Sequence, residues 1–455
     1  MKLKEFDFKL PRDEKRKKKI IITSISVIVL IIIITIASTF AYYQSIENQN
    51  SINTTVGNFN SGDITIAMTV DGISVQDVPQ QNTGYIGSTI TCNNGAIAIW
   101  DNFEWRIIIE NYTKSKTVCS IAFVLGQSLH EAIVAQGGTK ETIEAKGSPN
   151  FNSAPIAATS GLYATEDEYG MSYYYRGMKT SLNNNLIFAG FQWKIVRING
   201  DDSIRIIYNG TESQFNSAKE MNTTGADTEL ARPNFNSSTN DNRYLGYMYG
   251  NTSSSPLLAQ TNINNSAIKT YLDGWYVSNI ETKSSYITEK IHDNLFCGDR
   301  SIKSGSGTYN STTLYGAYDR FYTNVSSLKP TLKCLQQNDR FTVDDTNIGN
   351  AALTYPIGLI SADEVAYGGV YYNSYDGTNM GSNSFLTTGS AYYTMSPSLV
   401  NSSTAFVWNV YPNGSLYSNS DSPVSATRGA RPVINLNSST RIMGSGSATD
   451  PFRIV

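Results

Sequence analysis

The chain has 455 residues, of which only 16% are charged and 29 are Tyr, and its formal net charge is −3. This near-neutral balance, with no basic stripe beyond the first residues, excludes a surface built to grip nucleic acid. Abundant Tyr, Asn, Ser, Thr and Gly point instead to surfaces that hydrogen-bond through neutral groups, a composition found in adaptable binding sites but, taken alone, explained as well by an ordinary secreted β-protein with polar loops.

Residues 1–19 read as a cytoplasmic basic segment. Lys2 to Lys19 carries nine Lys/Arg against four Asp/Glu and ends in the run Lys15-Arg16-Lys17-Lys18-Lys19. Ile20 to Ala41 then runs 22 residues without a charge. As a helix it would extend about 33 Å, enough for a hydrocarbon core of about 30 Å. Basic flanks stay inside, so 20–41 predicts a single-pass transmembrane anchor with the C-terminus outside the cell membrane. The competing reading is a signal peptide cleaved near Ala41, after Thr39-Phe40-Ala41, which gives a secreted protein. Both export the remainder, and removing the +5 of the first 19 residues from −3 leaves −8 there.

Residues 43–125 predict a small all-β sandwich. Asp63 to Val70 alternates at period two and ends at Asp71-Gly72, a hairpin signal. Ala96–Trp100, Trp105–Glu110 and Thr117–Val124 supply further strands, with the two Trp as core or turn-packing residues. Residues 126–158, rich in Gly, Ser, Thr and Pro, read as a linker with a short helix at Ser128–Gln136. Residues 159–455 predict an α+β domain with mainly antiparallel sheet. Phe191–Gly200 and Ser203–Tyr208 form a hairpin around Asn199-Gly200-Asp201-Asp202. Asn264–Trp275 reads as a helix capped by Asn264 or Asn265, with Ile268, Tyr271, Leu272 and Trp275 on one face. Pro356–Ile360 reads as a buried strand, followed by a capping box of Ser361 and Glu364. Ala405–Val410 and Arg431–Leu436 are terminal strands around a Pro412–Ser415 turn.

Four cysteines in an exported chain suggest disulfides. Cys92 with Cys119 and Cys297 with Cys334 is the expected pairing, since each pair sits inside one predicted domain. Catalytic chemistry is not indicated. The two histidines, His130 in the linker and His292 near a strand end, lack a nucleophile motif. The carboxylate groups Glu166-Asp-Glu168, Asp344-Asp345 and Asp363-Glu364 lack calcium-loop spacing. The expectation is a non-enzyme with no cofactor and no metal. The most suggestive constellation is aromatic and polar, and its candidate ligand-binding residues are Tyr392, Tyr393, Asn401, Trp408, Tyr411, Asn413, Tyr417 and Arg428. Period-two alternation would turn half of the strand aromatics into the core.

Motifs in order along the chain carry a resemblance: Gly161-Leu-Tyr163, Glu166-Asp-Glu-Tyr-Gly170, Ser172-Tyr-Tyr-Tyr-Arg-Gly177, Phe188-Ala-Gly-Phe-Gln-Trp193, Phe296-Cys-Gly-Asp-Arg-Ser301, Thr354 to Val365, Tyr393-Thr-Met-Ser-Pro397 and Gly429 to Leu436. The series resembles exported surface proteins of Gram-positive gut bacteria with an uncharacterised C-terminal domain. The resemblance implies a fold similar to C-type lectins and formylglycine-generating enzymes. The calcium-dependent sugar motifs of the lectins and the paired catalytic cysteines of those enzymes have no counterpart here. Thr39-Phe-Ala-Tyr-Tyr43 and Val56 to Gly62 are similar to biofilm-fibre proteins of the camelysin type. The resulting expectation is a cell-surface ligand-binding or adhesion protein, its partner an extracellular glycan or surface protein. The alternatives are a structural surface or matrix protein and a carbohydrate-active enzyme.

Overall fold

The computed structural model describes residues 64–88, 90–93, 95–110, 116–214, 220–303, 312–323, 328–372, 383–401, 403–418 and 423–455. The basic segment 1–19 and the apolar run 20–41 lie outside them. Two compact units are present, one reaching Val124 and the other running from Leu125, with Asn82–Gly84 belonging to the second.

The first unit contains Ile64–Val70 (β1), Ile73–Val75 (β2), Tyr85–Gly87 (β3), Thr91–Cys92 (β4), Ile97–Asp101 (β5), Arg106–Glu110 (β6) and Thr117–Leu125 (β7). The order is β2-β1-β7-β3, with β4 beside β7 and β5-β6 as a separate ribbon. The β1–β2 turn is the expected Asp71-Gly72, both at positive φ (48° and 82°). That conformation matches the right-handed twist of a hairpin and suits Asp and Gly. Alternation works as read in β1, where Ile64, Ile66 and Met68 point into a core shared with Ala98, Trp105, Ile121 and Phe123. Trp100 and Trp105 meet edge-on at 5.3 Å between centroids. One pairing was not legible, because β1 runs parallel to β7. The Cys92–Cys119 disulfide forms as expected, across directly opposed residues of β4 and β7.

The second unit begins with Gln127–Ser128 (β8), followed by Gly161–Glu166 (β9), Met171–Arg176 (β10), Asn185–Phe188 (β11), Phe191–Ile198 (β12) and Ile204–Thr211 (β13). Short pieces come next: Met248–Tyr249 (β14), Asn264–Asn265 (β15), Phe296–Cys297 (β16), Thr313–Leu314 (β17), Arg340–Phe341 (β18) and Tyr371–Tyr372 (β19). Tyr392–Val400 (β20), Ala405–Val410 (β21), Ser415–Tyr417 (β22), Val433–Leu436 (β23), Arg441–Met443 (β24) and Phe452–Ile454 (β25) complete it. A nine-stranded sheet runs β23-β13-β12-β11-β25-β24-β8, with β10 attached to β12 and β9 to β10. A five-stranded sheet runs β17-β20-β21-β22-β19. One apolar cluster joins both sheets, with Trp193, Ile195, Ile206, Phe296, Val365, Met395, Val407 and Ile434 at its centre.

The predicted fold is corrected here. The described chain is mostly sheet with few helices, rather than a transmembrane helix followed by a sandwich and an α+β lectin-like domain. Among the described residues no helix is long and apolar enough to cross a membrane. The longest α-helix among the described residues, Ala267–Tyr276, has ten residues, whereas a span needs about 20. A single-pass membrane location therefore finds no support in the described chain. Ser, Thr, Asn and Gly recur through the second unit and favour caps and turns over helix interiors, which keeps its helices short.

Smaller differences have local causes. The supposed linker 126–158 is packed structure, since Leu129, Ile133 and Ile143 of its two helices are buried in the main core. The helix expected from Asn264 starts later, because Asn264 and Asn265 pair with β14 and Ser266 provides the cap. Pro356–Ile360 forms no strand, only a bridge from Gly358 to Val433. The Ser361–Glu364 capping box is present.

Candidate functional site

The aromatic stretch divides in two. Tyr392, Tyr393 and Trp408 are all at 0% exposure, so they are core residues and not a ligand platform. Strands β20 and β21 are covered on both faces, which overrides the alternation expected of a half-exposed sheet. The Tyr392 hydroxyl donates to the Leu386 carbonyl at 2.8 Å, and that of Tyr393 donates to the Ala426 carbonyl. Trp408 packs edge-on against Phe321. Asn401 and Asn413 are turn residues whose Oδ1 atoms accept backbone N–H groups of Thr404 and Ser415. Only Tyr411, Tyr417 and Arg428 come together. The two rings lie 4.9 Å apart and the guanidinium sits 5.8 Å from the Tyr411 centroid. The trio is half-buried.

The acidic pair Asp363-Glu364 lies in a buried ionic network. Arg197 donates to Asp167 and Glu364, Arg205 donates to Glu364, and Arg320 donates to Asp299 and Asp363. Arg300 with Asp339 is a further buried pair. Burial pushes the Glu364 carboxyl up, but Arg205 and Arg197 outweigh it and bring its pKa down to about 2. At Arg205 burial prevails and lowers the pKa, while at Arg197 the two carboxylates overcome burial and raise it. Arginine stays charged in either case, so the direction at Glu364 is the informative one. The network encloses only about 20 Å³, room for about one water molecule. Cys297 borders it and closes the expected disulfide with Cys334. Every arginine here faces a carboxylate, so the cluster is a brace between β12, β13 and the Ala362–Tyr367 helix.

A different cleft, of about 250 Å³, opens over Lys194. Lys194 is on β12, directly opposite Asn185 on β11. The Asn185 side-chain N–H donates to the Gly446 carbonyl at 2.8 Å, which turns its Oδ1 toward the Lys194 ammonium. Lys194 is only 6% exposed, yet no carboxylate pairs with it among the described residues. Burial first, then Arg431 and Lys179, lower its pKa from 10.5 to about 7. Arg431 is fully buried and hydrogen-bonds neutral partners, the Tyr208 carbonyl at 3.0 Å and Asn209 Oδ1 at 3.1 Å, with the Tyr392 ring at 4.7 Å; the Glu229 carboxylate acts on it through space without a salt bridge. The rest of the lining is mostly hydroxyls and amides, with Thr180, Asn209, Asn222, Thr223 and Thr388 among them. A backbone bond from Met221 to Ala448 and one from Gly225 to Thr388 tie its walls together.

Lys194 escaped the sequence reading because in an alternating strand it takes the place of an outward polar residue. The signal present was a run of polar residues, Gln192, Lys194 and Arg197, inside a strand flanked by apolar ones. The histidines belong to neither site: His130 lies 3.1 Å from Asp202, and His292 sits between Asp201 and Asn437. Compared with protein-family models, with curated proteins and with solved structures, the chain matches none.

Proposed function

We propose that the chain is a non-catalytic ligand-binding protein of the adhesion type, and that its ligand sits in the cleft over Lys194. One observation carries the reading: a buried ammonium at the cleft with no carboxylate to balance it. An unpaired buried charge is expensive, and elsewhere this unit matches each buried arginine of the brace with acids. A cation left uncompensated beside an open cleft is what a binding site for an external group requires. The two disulfides support work in an oxidising compartment, where an extracellular glycan or surface protein is the partner.

The test uses the full chain on an array of surface glycans and proteins, with wild type and Lys194→Met in parallel. Binding that disappears in Lys194→Met while the variant stays folded supports the reading. Undiminished binding by the variant removes the cleft from the function. The Tyr411, Tyr417 and Arg428 trio serves as the control, since Tyr411→Ala should leave binding unchanged.

A further inference from the structure

We infer that the cleft over Lys194 takes a sugar ring bearing a carboxylate, with the carboxylate on Lys194 and the hydroxyls on the Thr and Asn lining. The inference rests on the ligand-binding reading above and narrows it to one chemistry.

Charge comes first. Lys194 and Arg431 are both buried and neither has a salt bridge among the described residues; Lys179, exposed at the rim, adds a third cation. Glu220 is the single acid of the lining and is not among the charges that shift Lys194. The local field therefore favours an anion. Arg431 has already committed its Nε and Nη2 to Tyr208 and Asn209, so it contributes field and not a fork. The Lys194 ammonium carries three N–H groups, and Asn185 takes one.

The neutral groups decide between anions. A compact phosphate is usually held by arginine forks, helix N-termini or nests of backbone N–H groups. Among the described lining residues there is no arginine fork, and the one helix N-terminus, at Thr224, opens a turn of only four residues. Threonine hydroxyls and asparagine amides, which both donate and accept, suit the hydroxyls of a sugar. Thr223 illustrates a preset orientation, since its hydroxyl donates to Gln192 Oε1 at 2.9 Å and leaves its lone pairs for a donor. Size agrees: about 250 Å³ falls just below the roughly 300–1,000 Å³ of pockets for drug-sized ligands, which fits one ring and not an extended chain.

The experiment is calorimetric titration of the full chain with glucuronate, glucose, acetate and inorganic phosphate, repeated on Lys179→Met and Lys194→Met. Glucuronate should bind roughly ten- to a hundredfold more tightly than glucose, the ratio expected for one charge-assisted bond. Acetate, lacking the hydroxyls, should be weaker than glucuronate. Lys179→Met should weaken glucuronate a few-fold, and Lys194→Met should abolish the preference over glucose. Phosphate binding as tightly as glucuronate would overturn the inference while leaving an anion site in place. Binding of no anion, together with array binding that survives Lys194→Met, would overturn both the inference and the reading beneath it.

Discussion

Replacing Lys194 by Met should make the protein more stable, not less. The lysine pKa falls from 10.5 to about 7 on folding. At about 1.4 kcal/mol per pH unit this gives an upper bound of about 5 kcal/mol for holding the ammonium in place. The substitution also strips Asn185 Oδ1 of its donor, which returns about 1–3 kcal/mol. A net gain of about 2–4 kcal/mol remains. The sign follows from proton uptake. Between pH 7 and 10.5 the unfolded chain binds more protons at this residue than the folded chain does, so the penalty is complete below pH 7 and fades as pH rises toward 10.5. Arg431 and Lys179 repel the ammonium, Asn185 is neutral, and Glu220 is the one acid along the cleft. Urea unfolding of both proteins at pH 6 and again near pH 10 measures the difference. The variant should win clearly at pH 6 and lose most of its margin near pH 10. A variant less stable than wild type at pH 6 would refute the claim that Lys194 is a strained, functional cation.

Other measurements probe the frame around the cleft. Glu364→Gln should cost about 3–5 kcal/mol, because two buried arginines lose a shared carboxylate; a loss under about 1 kcal/mol would contradict the brace. In wild type that carboxylate's stabilisation should be complete above its ordinary pKa of 4.5 and vanish as pH drops through about 2, seen as acid unfolding that Glu364→Gln flattens. Gly429→Ala should lower stability by about 2–3 kcal/mol by overpacking, since a Cβ there would lie 1.3 Å from Glu229 Oε2. The backbone of Gly429 is pinned by bonds to Ala391 and Tyr393, so an unchanged melting temperature would falsify this packing. Paired serines at Cys297 and Cys334 should cost about 4 kcal/mol from the entropy of a loop whose ends are 37 residues apart; a protein as stable as wild type would argue that the bridge constrains nothing. His292 should titrate above 6.5 in an NMR experiment, because it hydrogen-bonds the Asp201 carboxylate. Its contribution to stability is therefore full below pH 6.5 and lost as pH rises through the elevated value, and a pKa at or below 6.5 would refute the pairing.

Much of the framework was legible before any coordinates. Local rules found the Asp71-Gly72 turn, the hairpin from Phe191 to Tyr208, the capping box at Ser361 and the two cysteine pairs, because each depends on neighbours in sequence or on domain membership. Long-range choices were hidden. Parallel pairing of β1 with β7 leaves no mark within either strand. The candidate site failed for a similar reason: Tyr392, Tyr393 and Trp408 sit among Thr, Ser and Asn residues that suggest an open face, but both faces of β20 and β21 are covered. Lys194 is the converse, a residue that local pattern assigns to solvent and that tertiary packing encloses. Whether a charge is balanced depends on partners far along the chain, such as Glu364 for Arg197, and spacing cannot supply them.

The place of β25 bears on the order in which the second unit can be made. Phe452–Ile454 pairs with β11 on one side and β24 on the other, so a strand that follows all the other described strands of this sheet in the chain occupies an interior position. Until it is in place, β11 presents an unpatched edge, and β24 with β8 has nothing to join. Open edges recruit other chains, and sheets closed by distant segments form slowly. Each newly synthesised molecule thus passes through an interval when most of its sheet exists but cannot be sealed.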